Sequence, residues 1–98
     1  MNATEIVLPG AVEPEDLLVS TRELPDPGAD QAVVRVEATG VSFAEQQMRR
    51  GKYYDQPPFP FVPGYDLVGE VERVGTDASG ELAIGQRVAA LTKTGGWS

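Results

Sequence analysis

The chain has 98 residues, 41% of them hydrophobic and 23% charged, and a formal net charge of −7. That length gives one small domain, able to bury roughly 60–65% of its unfolded surface, with the composition of an ordinary globular chain. The negative charge argues against nucleic acid, which needs a basic face, and against an anionic membrane surface, while the lack of any Cys or His removes disulfides, thiolate chemistry and imidazole ligands together.

The acidity is concentrated at the start. Residues 1–30 hold seven acidic side chains against Arg22 alone, and the signs nearly balance from residue 31 onward. Such a start reads as a solvated outer edge that favours solubility. Met1–Gly10 has neither a basic region nor a long apolar run, so no secretory leader is expected, and no apolar stretch reaches the length of a membrane span. A soluble cytoplasmic protein is the expectation.

In chain order, Thr4–Leu8 is a short β-prone run stopped by Pro9-Gly10. Leu17–Leu24 alternates loosely around Leu17, Val19 and Leu24 and ends in the turn cluster Pro25-Asp26-Pro27-Gly28. Gln31–Ala38 alternates most clearly, with Val34 and Val36 facing one way and Arg35 and Glu37 the other. Ser42-Phe43-Ala44-Glu45 then matches a capping box, in which a Ser and a Glu three residues later satisfy each other's free amides. Gln46, Gln47, Met48 and Arg49 continue a short helix, Arg49 and Arg50 suit its last turn, and Gly51 ends it.

Residues 52–64 read as loop, holding Tyr53, Tyr54 and four prolines at 57, 58, 60 and 63. Tyr65–Val74 returns to strand, burying Leu67 or Val68, Val71 and Val74, with Gly69 marking a bulge or a close backbone approach. Gly75 to Gly85 is turn-rich, Gln86–Leu91 is a last strand, and Lys93–Ser98 trails away. Five or six short strands, one short helix and frequent Gly and Pro predict a mostly β domain, a partly open barrel.

Ala32–Val36 with Gly40-Val41, the helix and loop Ser42–Tyr53, the strand Pro63-Gly64-Tyr65-Asp66-Leu67-Val68-Gly69-Glu70-Val71 with Val74-Gly75, and Gly85-Gln86-Arg87-Val88 occur in one order. Together they resemble the N-terminal, GroES-like half of the medium-chain dehydrogenase/reductase family, in its zinc-free, quinone oxidoreductase-like branch. The resemblance implies a GroES-like barrel and NADPH-dependent reduction of a quinone or an activated double bond. In the zinc-dependent branch a Cys follows Gly40-Val41, and His and Glu follow Gly64. Here Ser42, Tyr65 and Asp66 stand there, a poor set for zinc, so no metal is expected.

By the resemblance, Tyr53 is the candidate catalytic residue: its protonated phenol can donate to a carbonyl or quinone oxygen as negative charge develops. Tyr54 offers the same chemistry without the matching position. Ser42, commonly Asn in the zinc-free branch, and Phe43 are the candidate cofactor contacts, Ser42 being also the N-cap and Phe43 a packing residue. Asp66 is expected to cap backbone amides. Arg49, Arg50 and Lys52 form a small basic cluster, read as a solvated helix end with attraction of an anionic cofactor or acyl carrier as the alternative.

The dinucleotide fingerprint G-x-G-x-x-G is absent, so NADPH would be bound mainly by a Rossmann domain outside this sequence. The chain is expected to be an excised or truncated domain, inactive alone, with a small-molecule quinone or enone as its partner and a homodimer possible for the whole protein. Two other readings compete: a GroES-like interaction module without catalysis, and the enoyl-reductase domain of a polyketide synthase.

Overall fold

The computed structural model describes residues 1–78 and 80–98. Among these residues, five strands and one α-helix run in the order β1 (Asn2–Val7), β2 (Leu18–Glu23), β3 (Ala32–Thr39), α1 (Phe43–Arg49), β4 (Asp66–Val74) and β5 (Arg87–Leu91). A 3₁₀ turn, Pro14–Asp16, precedes β2. The fold is mostly β, with strand bounds within two residues of those expected. The turn-rich span from Gly75 to Gly85 is present too, except that position 79 lies outside the described residues.

The strands form two antiparallel sheets, β1-β2 and β3-β4-β5, and the barrel does not close. The end of β1 is tied to the loops outside both sheets by the bridge of Leu8 with Phe61 and a hydrogen bond from the Ile6 N–H to the Trp97 carbonyl at 2.9 Å. The radius of gyration, 14.3 Å, exceeds the roughly 12.5 Å of an isodiametric chain of this length, in keeping with the open arrangement.

The alternation of β3 holds: Val34 and Val36 are half-buried, and Arg35 and Glu37 point to solvent. The register against β4 shifts between Val33 and Val34 and again between Val36 and Ala38. Gly69 sits beside the second shift, paired with Val36. A Cβ there would stand 2.3 Å from the Arg35 carbonyl oxygen, so both readings of this glycine apply, bulge and close approach.

Among the described residues, the largest fully buried side chains are Leu8, Met48, Val71 and Pro63. Met48 is how α1 joins the core. Of the alternatives on β4, Leu67 is half-buried and Val68 exposed. The alternation expected around Val19 does not bury it: the side chain is 70% exposed, because β1 and β2 make a separate two-stranded sheet and Val19 faces an open concavity beside Val36 and Trp97.

The tail from Lys93 does not trail away. Trp97 donates its Nε1–H to the Gly40 carbonyl at 3.0 Å and its N–H to the Pro63 carbonyl at 2.9 Å. Gly64, at φ +117, makes room for it, since a Cβ there would lie 2.5 Å from the Trp97 nitrogen. Among the described residues, no helix is long and apolar enough to cross a membrane.

Candidate functional site

The site is built around α1. Ser42 and Glu45 form the capping box: the Ser42 N–H donates to Glu45 Oε2 at 2.9 Å, and the Ser42 hydroxyl donates to the same oxygen. The other carboxylate oxygen, Oε1, accepts the Tyr65 N–H at 3.1 Å, across twenty residues of sequence. Glu45 is 3% exposed. Burial pushes its pKa up, but the hydrogen bonds from the Ser42 hydroxyl and the backbone amides outweigh that, and the carboxyl lies below its usual value. Glu45 is therefore an ionised junction between the start of α1 and the loop that begins β4. Sequence reasoning saw its pairing with Ser42 and missed Tyr65.

At the other end of α1, Gly51 takes φ +72 and the chain turns into the Tyr53 loop. Gln56 fixes that loop, donating from Nε2 to the Met48 carbonyl at 3.0 Å and accepting the Tyr53 N–H at 3.3 Å. Tyr53, Tyr54 and Tyr65 come together in the lining of an open cavity of about 400 Å³, with Asp55 and Lys93 at its wall. The rings of Tyr53 and Tyr54 lie 4.7 Å apart, tilted by 48°. The Tyr53 phenol is held above the usual tyrosine range, first by loss of water around it and then by the neighbouring Tyr54 and Tyr65 phenols. It is a protonated donor at neutral pH.

The expected site residues are thus placed in two groups. Tyr53 sits at an open rim with Tyr54 and Tyr65, while Ser42 and Phe43 stand at the opposite end of α1, about 10 Å of helix away, and do not line that cavity. Phe43 is not a core residue: its ring is 74% exposed, because the buried face of α1 is carried by Glu45 and Met48. Asp66 caps a backbone amide as expected, accepting the Gly40 N–H at 3.2 Å. Of the three positions that hold metal ligands in the zinc-dependent branch, the Ser42 side chain is engaged with Glu45 and that of Asp66 with Gly40, while Tyr65 lines the tyrosine cavity. Along the Glu45–Arg49 side of the helix lies a second concavity of about 430 Å³, walled by Leu8, Leu17, Val41, Pro63 and Trp97.

The model of the alcohol dehydrogenase GroES-like domain matches residues 28–96. The chain belongs to that family. The GroES-like domain is also what it shares with its curated relatives. It is 32% identical over 93 residues to the synaptic vesicle membrane protein VAT-1 homolog-like of Mus musculus, covering 95% of this chain and 22% of the relative. To the quinone oxidoreductase of Pongo abelii it is 39% identical over 82 residues, covering 83% of this chain and 25% of the relative. The crystal structure of Escherichia coli quinone oxidoreductase complexed with NADPH superposes with a TM-score of 0.85 at 29% identity, covering 98% of this chain and 29% of that one. The chain thus spans about a quarter of these medium-chain dehydrogenase/reductase proteins, the quarter that holds the GroES-like domain.

Proposed function

We propose that this chain is the substrate-side, N-terminal domain of an NADPH-dependent, zinc-independent oxidoreductase that reduces a quinone or an enone, with a dinucleotide-binding domain following it in the whole protein. The observation that carries the reading is the protonated Tyr53 phenol, set at the rim of an open cavity with Tyr54 and Tyr65. The quinone oxidoreductase relatives support the reaction class, and the NADPH-complexed one supports the cofactor.

The residues at the start of α1 fit the nicotinamide end of the cofactor. The exposed Phe43 ring offers a flat apolar surface. The Ser42 hydroxyl spends its hydrogen on Glu45, accepts the Glu45 backbone N–H in the capping box, and keeps one lone pair to accept from an amide. The phosphates need a glycine-rich turn this chain lacks. When bound, the reduced nicotinamide supplies a hydrogen with two electrons.

The chain's own part is positioning and charge stabilisation. Tyr53 donates a hydrogen bond to the acceptor oxygen, and that bond strengthens as the oxygen gains charge when a carbon of the acceptor receives the hydride. Solvent then protonates the oxygen. With Ser42 and Asp66 engaged within the domain and a phenol at the third position, a poor donor set for zinc, polarisation falls to Tyr53. Replacing Tyr53 by Phe in the whole protein removes the donor and keeps the ring. The rate of enone or quinone reduction is expected to fall by roughly 10- to 100-fold with the circular dichroism spectrum unchanged, and an unaltered rate would remove Tyr53 from the mechanism.

A further inference from the structure

The eight lysines and arginines of this acidic chain are unequally engaged. Arg22 pairs with Glu5 at 2.8 Å, Arg35 with Glu70 and Glu72 at 3.7 Å each, Arg73 with Asp26 at 2.6 Å, and Arg87 with Glu37 at 2.9 Å. Arg49 donates to the Val12 carbonyl at 2.7 Å. Among the described residues, no ion pair involves Arg50, Lys52 or Lys93, although the chain carries fifteen carboxyl side chains. Of these three cations Lys93 lines the tyrosine cavity, while Arg50 and Lys52 flank in sequence the glycine that leads into Tyr53. Against them, the cavity wall holds one acidic group, Asp55.

Lys93 is also the one non-glycine with positive φ among the described residues, at 65°, a region that side chains with a Cβ seldom enter. The turn lets two successive amides, those of Thr92 and Lys93, converge on the Tyr65 carbonyl at 2.8 and 3.0 Å. The same backbone feature thus fixes Tyr65 and the point from which Lys93 leaves the chain. A strained non-glycine residue at a cavity wall is a recurrent mark of a binding site.

Phenols that keep their protons donate hydrogen bonds, an ammonium supplies charge, and tilted rings offer faces for a flat molecule. We infer that the tyrosine cavity binds a small planar carboxylate, with Lys93 as its counter-charge and the phenols of Tyr53 and Tyr65 as hydrogen-bond donors. This deepens the reductase reading and rests on it for the ligand's role: the acceptor is an enone or quinone that carries a carboxylate.

Binding can be measured without cofactor or turnover, so it separates from the reductase reading. Benzoate and its neutral isostere benzamide are titrated into the 98-residue chain, followed by amide and ring resonances in NMR. Benzoate is expected to shift signals of Tyr53, Tyr65 and Lys93 and to bind roughly fivefold more tightly than benzamide, the upper end for an exposed ion pair. The preference should shrink in 1 M salt, where screening is short-ranged. Lys93→Asn, which suits a left-handed backbone, should bring the two affinities together. Equal affinities in the unaltered chain, no binding of either probe, or shifts confined to residues away from the cavity would each overturn the inference. Benzoate binding in a whole protein that reduces no enone would uphold the carboxylate site and sink the reductase reading; reduction of neutral enones with no benzoate preference would do the reverse.

Discussion

Glu45→Gln tests how the site is held. The carboxylate accepts from the Ser42 N–H, the Ser42 hydroxyl and the Tyr65 N–H while only 3% exposed. An amide of the same shape keeps one acceptor oxygen and turns an NH₂ toward a group that must donate. If the oxygen stays on Ser42, the Tyr65 N–H loses its partner, which costs about 1–3 kcal/mol for a buried donor. If it turns to Tyr65, the cap is lost, at about 1 kcal/mol. A loss of about 2 kcal/mol is expected at pH 7, read as a fall of roughly 1 M in the urea midpoint.

The pH dependence gives a second readout. The folded-state pKa of Glu45 is depressed, so the stabilisation is present above the unfolded carboxylate value of about 4.3 and is lost as pH falls through the lower folded value. Other carboxylates titrate in the same window, and the difference between the two proteins isolates this one. The gap between unaltered chain and Glu45→Gln should be widest above pH 5 and should narrow below pH 4. A variant within 0.5 kcal/mol of the unaltered chain at pH 7, or a gap that does not change with pH, would refute the junction role.

Gly69→Ala places a Cβ 2.3 Å from the Arg35 carbonyl oxygen, and neither backbone can yield without breaking the β3–β4 register. Destabilisation above about 2 kcal/mol is expected, seen as a lowered urea midpoint, and a neutral change would show that the two strands can part at no cost. A spectrophotometric titration of the tyrosines should show at least one of the three still protonated above pH 10, where a free phenol is half ionised, since the Tyr53 phenol is shifted upward. Three tyrosines titrating together at the ordinary value would remove the phenol cluster.

What was legible in the sequence follows the range of the interactions. The capping box involves residues three apart, so Ser42 and Glu45 announced it, and the open β architecture followed from alternation and Gly/Pro punctuation. Gly69 was legible because a strand tolerates glycine only for a reason. The partners that complete the site were not. Glu45 reaches Tyr65 across twenty residues, and Trp97 reaches Gly40 across fifty-seven, separations at which no local pattern speaks. The meeting of Tyr53 with Tyr65 depends on the Gln56-fixed loop and the Lys93 turn, neither of which has a periodic signature. Val19 misled for a related reason: alternation reports which side chains share a face, and only the number of covering strands decides whether that face is buried.

Hydride transfer without a metal is what we propose for the whole protein. The most direct measurement is NADPH oxidation, followed by its absorbance, in the whole protein given a small quinone, with the metal content of the same sample determined by elemental analysis. Quinone-dependent oxidation that persists in a chelator, in protein free of stoichiometric zinc, is the expected result. One zinc per chain with activity abolished by the chelator, or no quinone-dependent oxidation at all, would contradict it.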